Sequence, residues 1–261
     1  GTPDNPFVGQ PVTWTSLVSG GSHSYSYSWS GDEGLSGSGD AVQKRYTAAG
    51  QKNATLTATD VRSGQVGSAF CTNGTGGLGV AVASCAASLS ANPATIEQGD
   101  TTTFTWSVTG GSLCASSCLG DGFNTSGAIS GSAPASALPL PPTTSYALTC
   151  SGGTYGPPPP VNTTVTVLVP KITAFTANGQ SDSARVNPGT ANNVTIGWSA
   201  ANSASCTITK NGIAWQTGPS SSSVSDSATS ATVYAIDCVN SHGVHTTTTT
   251  RVNVLPSFEE F

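Results

Sequence analysis

The stretch TFTWSV at residues 103–108 decides the fold, because similar stretches lie at the same distance on either side of it. PVTWTS contains Trp14 and TIGWSA contains Trp198, so the three tryptophans have a constant spacing of 92 residues. A short Thr- and Val-rich run that ends in Trp at a constant period indicates copies of one structural unit. The sequence therefore predicts three units of about 85 to 90 residues each.

The second and third units share further landmarks. Trp106 precedes Cys114 by eight residues, and Trp198 precedes Cys206 by the same eight. Downstream, YALTC at 146–150 and YAIDC at 234–238 each place a tyrosine, an aliphatic residue and a cysteine at alternating positions. Alternation puts the three side chains on one face of a strand. Both units are therefore expected to contribute a Trp, a Tyr and two Cys to one core.

The rest of the chain reads as short strands between turns. Segments 87–90, 161–169, 171–176 and 246–255 alternate or cluster β-branched residues between Gly, Pro and Asn. No segment shows a sustained 3.6-residue apolar period with helix caps. We expect an all-β fold of three tandem immunoglobulin-like β-sandwich domains in an elongated rod, with bounds at 1–84, 85–169 and 170–256 and a C-terminal tail at 257–261. Pro170 makes the second junction tight.

Charge and composition narrow the setting. Only 8% of the residues are charged and the formal net charge is −5, so the chain has no basic cluster that would attract a nucleic acid. No apolar run approaches the roughly 20 residues that a membrane-spanning helix needs, so no membrane span is expected. The chain has seven cysteines and no methionine. These features predict an exported, extracellular or cell-surface protein with a processed N-terminus at Gly1.

Two stretches carry a resemblance to a known family. LSANPATIEQGDTTTFTWSV at 89–108 resembles the Ser/Thr-rich immunoglobulin-like repeat of bacterial cell-surface proteins, and YSYSWSGDEG at 25–34 with YTAAGQKNATLTATD at 46–60 resembles the related PKD-type sandwich. The resemblance implies a cell-surface stalk, spacer, adhesive module or subunit of a surface fibre. It implies no chemistry, since a fold alone does not choose a function.

The pair of cysteines in LCASSC, residues 113–118, is open to a metal or a disulfide interpretation. A closed zinc site needs four ligands, and the chain has no second Cys or His pair at the required spacing, so we expect structural disulfides. The repeat predicts the pairings Cys206–Cys238, Cys114–Cys150 and Cys85–Cys118, with Cys71 left over. The alternative is a Cys71–Cys85 bridge that leaves Cys118 free or paired with another chain.

The sequence predicts no catalytic, cofactor-binding or metal-binding residues. Nucleophile-elbow and zinc-protease motifs are missing, so we expect no enzymatic activity and no cofactor. The acidic loop with Asp32, Glu33 and Asp40 offers oxygen ligands for calcium, but its spacing matches no known calcium loop, and a solvated acidic turn is the preferred interpretation. Five glycosylation sequons begin at Asn53, Asn73, Asn124, Asn162 and Asn193.

The two ends of the chain are candidate assembly contacts. Phe7, Phe258 and Phe261 lie in short polar-aromatic tails that are expected to dock on adjacent copies by strand pairing. Head-to-tail contacts between identical rods would form an open filament, so the predicted partner is a second copy of the chain. The alternative is an adhesin or carbohydrate-binding stalk that contacts surface glycans through Trp215 or through the strand with Tyr25, Tyr27 and Trp29.

Overall fold

The computed structural model describes residues 5–72, 79–187 and 192–255. Strands and isolated bridges account for 61% of the described residues. The helical segments among the described residues are two single 3₁₀ turns, Asp32–Gly34 and Gly111–Leu113. The strands form three groups, and each group encloses its own buried apolar cluster. The predicted all-β fold of tandem immunoglobulin-like sandwiches is confirmed by this topology. The exact domain bounds stay a prediction.

The first sandwich packs small sheets around Trp14, Trp29, Tyr46 and Leu56. Its strands are β1 Pro11–Thr15, β2 Tyr25–Gly31, β3 Leu35–Gly37, β4 Ala41–Arg45, β5 Gly50–Lys52, β6 Ala54–Asp60, β7 Val66–Phe70 and β8 Val80–Val82. Strand β1 pairs with β4, β5 pairs with β8, and the third sheet has the order β3-β2-β6-β7. Every second residue of strand β6 is buried, because successive side chains of a strand point to opposite faces and one face of β6 lies on this core.

The second sandwich follows after Cys85. Its strands are β9 Ala86–Asn92, β10 Thr95–Glu97, β11 Thr103–Thr109, β12 Ser117–Gly120, β13 Ser130–Pro134, β14 Thr143–Ser151 and β15 Val161–Leu168. One sheet has the order β13-β11-β9 and the other β10-β15-β14-β12. The core between them is aromatic: the ring of Phe104 lies 4.6 Å from that of Phe123 and 4.4 Å from that of Tyr146. Such contacts stabilise a core beyond the area that they bury.

The third sandwich repeats the second. Its strands are β16 Lys171–Ala177, β17 Ser183–Val186, β18 Asn192–Ala201, β19 Ser205–Lys210, β20 Ile213–Gly218, β21 Ser221–Ala228, β22 Thr232–Val239 and β23 His245–Val254. The sheets have the orders β16-β18-β21 and β17-β23-β22-β19-β20. The short strand β17 pairs in parallel with β23, as β10 does with β15. Apart from the additional edge strand β20, the strand orders are equivalent, which shows that these two units are structural repeats.

The three periodic tryptophans occupy matching strands. Trp106 lies on β11, which pairs with β9 and β13, and Trp198 lies on β18, which pairs with β16 and β21. Trp14 lies on β1, which is paired with β4 alone. All three are buried. The indole N–H groups of Trp106 and Trp198 donate to equivalent backbone carbonyls, Ala128 O and Pro219 O, each two residues before the strand that pairs with the tryptophan's own. That of Trp14 donates to the Tyr46 hydroxyl instead, so the second and third units preserve both the buried ring and its hydrogen bond.

The disulfides correct part of the predicted scheme. Cys206–Cys238 is formed as predicted, between directly opposite residues of β19 and β22. In the second unit the equivalent bridge is Cys118–Cys150, between opposite residues of β12 and β14. The predicted Cys114–Cys150 and Cys85–Cys118 pairs are therefore wrong, and Cys114 bonds to Cys85.

The physical reason is a local insertion. The turn Gly111–Leu113 lies between β11 and β12, so β12 begins later after Trp106 than β19 does after Trp198. Counting from the tryptophan consequently selects Cys114, which lies before the strand. Both cross-strand bridges have the same sequence separation of 32 residues. That equality was visible in the sequence and identifies Cys118 as the counterpart of Cys206.

Candidate functional site

The first feature with a functional character is the joint between the first and second sandwiches. Phe7 forms a parallel bridge with Ala83, and the N–H of Val8 donates to Ala83 O at 2.9 Å. The half-buried Phe7 ring packs against the core of the second sandwich. There it lies directly over Gly110, where a β-carbon would come within 2.6 Å of the ring. Residues that begin the first sandwich thus become part of the second.

A disulfide reinforces this joint. Cys85 precedes β9 by one residue and is bonded to Cys114, whose Sγ would lie 2.5 Å from the same β-carbon position at Gly110. The bridge closes a loop of 29 residues, which in the chain-entropy model contributes about 3 to 4 kcal/mol. Because Cys85 stands where the chain passes between the two sandwiches, the bridge fixes the linker to the second core. A tied linker restricts how the two sandwiches can reorient.

The second joint consists of polar contacts between the second and third sandwiches. The side-chain amide of Asn240 donates to Gln98 O at 2.8 Å. Next to it, His242 Nε2 lies 2.9 Å from Asp100 Oδ1. The backbone N–H groups of His242 and Val244 both donate to Asn240 Oδ1, which holds this turn in shape. Two loops therefore meet through paired donors and acceptors.

His242 also has a hydroxyl neighbour, since Ser241 Oγ lies 3.1 Å from His242 Nδ1. An aspartate, a histidine and a serine in contact have the composition of a hydrolase triad. In such a triad the carboxylate contacts Nδ1 and the nucleophile contacts Nε2, whereas here the two partners are exchanged. The serine is also the residue directly before the histidine. We interpret the group as part of the joint.

The predicted assembly anchors are only partly described. Phe7 is engaged inside its own chain by the first joint, so it does not project as a free anchor and the role predicted for it is corrected to interdomain packing. The physical reason is that the Phe7 ring packs on the apolar core of the second sandwich, beside Gly110 of the same chain. Phe258 and Phe261 lie outside the described residues.

Trp215, the candidate ligand contact, lies at the rim of the third core. Strand β20 carries an irregularity in its pairing with β19 beside this residue, which turns the indole inward. Its ring packs against Tyr234 with centroids 5.5 Å apart, and the side chain is half-buried. Most of the indole is therefore used to complete the core.

Tyr234 in turn belongs to a buried polar cluster. Its hydroxyl donates to Asp226 Oδ2 at 2.5 Å, and Lys210 Nζ lies 2.6 Å from the same oxygen. Burial and the Asp226 carboxylate raise the pKa of Tyr234. Burial also acts to raise the pKa of Asp226, but the hydrogen bonds from Lys210 and Tyr234 outweigh it and the pKa is lowered. The ion pair connects β19 in one sheet with β21 in the other, which makes it a structural tie.

The other candidate contact surface, the aromatic strand β2, divides into a buried and a half-buried part. Trp29 is buried and donates to Gly39 O at 2.8 Å. Tyr25 lines an open groove of about 440 Å³ with Leu17, Leu56, Asp60 and Val66. Leu17 is 99% exposed at its rim. The groove is a concave, partly apolar surface at the start of this strand.

Asp60 does not offer the groove a free charge. Its carboxylate accepts the backbone N–H groups of Ser22, Arg62 and Ser63 at 2.5 to 2.9 Å. These hydrogen bonds, the one from Ser22 first, lower the pKa of Asp60. The residue thus fastens two loops to the end of β6. A carboxylate that is saturated by backbone donors is a structural group.

The acidic loop of the first sandwich is more ordered than a solvated turn. Glu33 lies 2.8 Å from Lys52 Nζ and accepts N–H groups from Thr47 and Ala48. The Lys52 contact is the largest cause that lowers the pKa of Glu33 to about 2. The preferred interpretation as a solvated turn is therefore wrong for Glu33, which ties its loop to two others. Within residues 5–72, 79–187 and 192–255, no group of three or more His, Cys, Asp or Glu side chains could hold a metal ion.

The compartment follows from the disulfides. Three bridges in one chain indicate an oxidising environment, as outside the cell. The described residues form no helix of the length and hydropathy that a membrane crossing would need. Cys71 has a free thiol and is half-buried, and burial raises its pKa.

Comparisons with known proteins find distant structural similarity only. No protein-family model and no curated protein sequence matches the chain. Among solved structures, the eight N-terminal Ig domains of Down Syndrome Cell Adhesion Molecule are 14% identical, covering 97% of this chain and 35% of that one with a TM-score of 0.33. Fibronectin(III)-like modules of Clostridium thermocellum CbhA are 11% identical, covering 67% and 100% with a TM-score of 0.28.

A structure with a bound oligosaccharide is similar at the same level. Bacteroides ovatus SGBP-B of a mixed-linkage glucan utilization locus, in complex with a heptasaccharide, is 17% identical, covering 97% of this chain and 66% of that one with a TM-score of 0.24. At such TM-scores the superpositions carry no argument about this chain. The assignment to tandem immunoglobulin-like sandwiches rests on the sheet orders described above.

Proposed function

We propose that the chain is a structural subunit of an extracellular filament or surface layer, in which its three sandwiches act as a stiff spacer and copies assemble head to tail. The observation that carries the proposal is the construction of the two joints. At the first joint the ring of Phe7 packs on the core of the second sandwich, and the Cys85–Cys114 bridge fixes the linker to that core. A binding module on a flexible stalk needs no such joints, whereas a subunit that transmits load along its axis does.

The side chains of the second joint serve the same purpose by other means. Contacts from Asn240 and His242 to the loop at 98–100 fix the angle between the second and third sandwiches. Asn202 adds a hydrogen bond to Val169 O at 3.0 Å, directly before the linking Pro170. A short linker, a proline and cross-contacts together disfavour hinge motion.

Electron microscopy of the purified chain tests the proposal. Ordered fibres or sheets are expected at high concentration under oxidising conditions. Phe258→Ala with Phe261→Ala is expected to abolish assembly without changing the unfolding temperature, because both residues belong to the C-terminal tail that the sequence predicts at 257–261. A particle that stays single at every concentration and ionic strength would overturn the proposal.

The alternative function, a glycan-binding surface module, is favoured by one observation. The groove beside Tyr25 offers an aromatic face and an exposed aliphatic rim, which is the kind of surface on which sugar rings stack. Binding of an oligosaccharide panel that Tyr25→Ala abolishes and Trp215→Ala leaves intact would support this function. If no oligosaccharide of the panel binds, this alternative function is excluded.

A further inference from the structure

Among the residues that the structure describes, strand β7 of the first sandwich is hydrogen-bonded on one side only, since it ends the sheet β3-β2-β6-β7. The N–H of Cys71 donates to Ala54 O at 2.9 Å, and bonding residues alternate along an antiparallel strand. The backbone groups of Val66, Ser68 and Phe70 consequently point away from β6, along the edge of the sheet. They form a ready template for another strand.

This edge has none of the usual protection. Residues Val66–Phe70 include no charged residue and no proline, and their register with β6 is uninterrupted. Natural sheets normally block such edges with lysine, proline or a bulge. Instead, Val66 and Phe70 are 65% and 70% exposed. Two large apolar side chains on a bare edge favour pairing with a partner.

The corresponding strands of the other two sandwiches differ in this respect. Strands β15 and β23 take the same place beside β14 and β22. Their exposed positions carry Asn162 and Thr164 in the second unit, and Thr247 and Thr249 in the third. In the second and third units β10 and β17 cover part of this edge and its uncovered part is polar, whereas among the described residues β7 leaves the whole edge uncovered and apolar.

The sequence of β7 is complementary to itself. In an antiparallel pair of two copies centred on Ser68, Val66 of one copy lies opposite Phe70 of the other, on both sides of the two-fold axis. The outward N–H and C=O groups of these three residues then form three mutual pairs, and each aromatic ring meets a β-branched side chain, a favourable cross-strand pair. We propose that two copies of the chain associate through β7, joining their sheets across a two-fold axis.

The surroundings of the edge permit this approach. On the inner face the residues between the pairing positions are Gly67 and Ala69, which are too small to obstruct a neighbour. On the outer face β6 presents Thr55, Thr57 and Thr59, so no like charges meet across the axis. A two-fold pair is closed and stops at the dimer. The inference does not depend on the proposed function, because it joins copies side by side and not end to end.

Sedimentation velocity of the chain with Phe258→Ala and Phe261→Ala, in which the proposed end-to-end assembly is removed, tests the pairing over a wide concentration range. A monomer–dimer equilibrium is expected, and Val66→Lys is expected to raise its dissociation constant at least about tenfold by placing a charge on the edge. Thr247→Lys, at an exposed position of β23, is the matched control and is expected to leave the equilibrium unchanged. Equal thermal unfolding of both variants and the parent establishes that each is folded.

A cross-linking experiment locates the axis. The pairing places Ser68 opposite its own copy at a Cα separation of about 5.5 Å, within the range of a disulfide. In a Cys71→Ala background, Ser68→Cys is expected to form a covalent dimer on oxidation, and Thr247→Cys is not.

A chain that stays monomeric, a dimer that Val66→Lys does not weaken, or a Ser68→Cys variant that forms no covalent dimer would each overturn the proposal. Oligomers larger than a dimer that Val66→Lys dissociates would mean that β7 pairs with a different edge, which also overturns the two-fold arrangement.

Discussion

Gly110→Ala is the sharpest test of the first joint. Gly110 has φ +87°, and a β-carbon there would lie 2.5 Å from Cys114 Sγ and 2.6 Å from Phe7 Cζ. Its neighbour Gly111 has φ +55° with nothing within 4 Å of a β-carbon. The two glycines therefore share the left-handed backbone and differ in crowding, which makes Gly111→Ala a matched control.

The expected magnitudes follow from this difference. A left-handed backbone costs a residue with a side chain about 1 to 2 kcal/mol, which applies to both substitutions. Displacing packed neighbours costs a further 1 to 3 kcal/mol or so, which applies to Gly110→Ala only. The second sandwich should therefore lose about 2 to 5 kcal/mol of unfolding free energy in Gly110→Ala, and about 1 to 2 kcal/mol in Gly111→Ala.

Hydrogen exchange measured by mass spectrometry in a urea series is the suitable assay, because it follows β11 and β14 separately from the other sandwiches. Phe7→Ala combined with Gly110→Ala should be less destabilised than the sum of the single variants, by at least about 0.5 kcal/mol. Equal losses in the two glycine variants, or strict additivity with Phe7→Ala, would refute the packing of Phe7 over Gly110.

Three further predictions concern single interactions. The lowered pKa of Glu33 means that its contribution to stability is complete above about pH 4.5 and is lost as the pH falls toward about 2; thermal unfolding of Glu33→Gln and the parent should therefore differ at neutral pH and converge near pH 2. Replacing Cys118 and Cys150 together by alanine should cost the second sandwich about 3 to 4 kcal/mol in urea unfolding, whereas Cys71→Ala should change little; similar losses would contradict the assigned pairing. Trp215→Ala should destabilise the third sandwich by about 2 kcal/mol, and an unchanged unfolding midpoint would show that the indole is not part of the core.

Much of the fold was accessible from local pattern. The period of the tryptophans and the alternation around Tyr146 and Tyr234 reflect which side chains face a core, and this property is written along each strand. The Cys206–Cys238 bridge could also be predicted, because the third unit contains no other cysteine. The Cys114–Cys150 prediction failed because spacing from a tryptophan assumes equal loops, and the turn at 111–113 lengthens one of them.

The candidate sites were less accessible, since they depend on contacts between distant segments. Phe7 belongs to the second core through a bridge to Ala83, and the partner of His242 is Asp100 in another sandwich. Glu33 looked like a solvated carboxylate because Lys52 is brought to it by folding. In each pair, the sequence around one residue gives no indication of the other residue.

By itself the sequence determined that this chain is all-β, repeats one sandwich-like unit and is cross-linked by cysteines, because burial periodicity and composition are properties of short segments. The tertiary structure alone decided which cysteines meet, how neighbouring sandwiches are joined, and that β7 keeps an apolar edge without a partner strand among the described residues. Those outcomes depend on strand order and loop length. Strand order is set by the free energy of packing the whole sheet, which no short segment encodes.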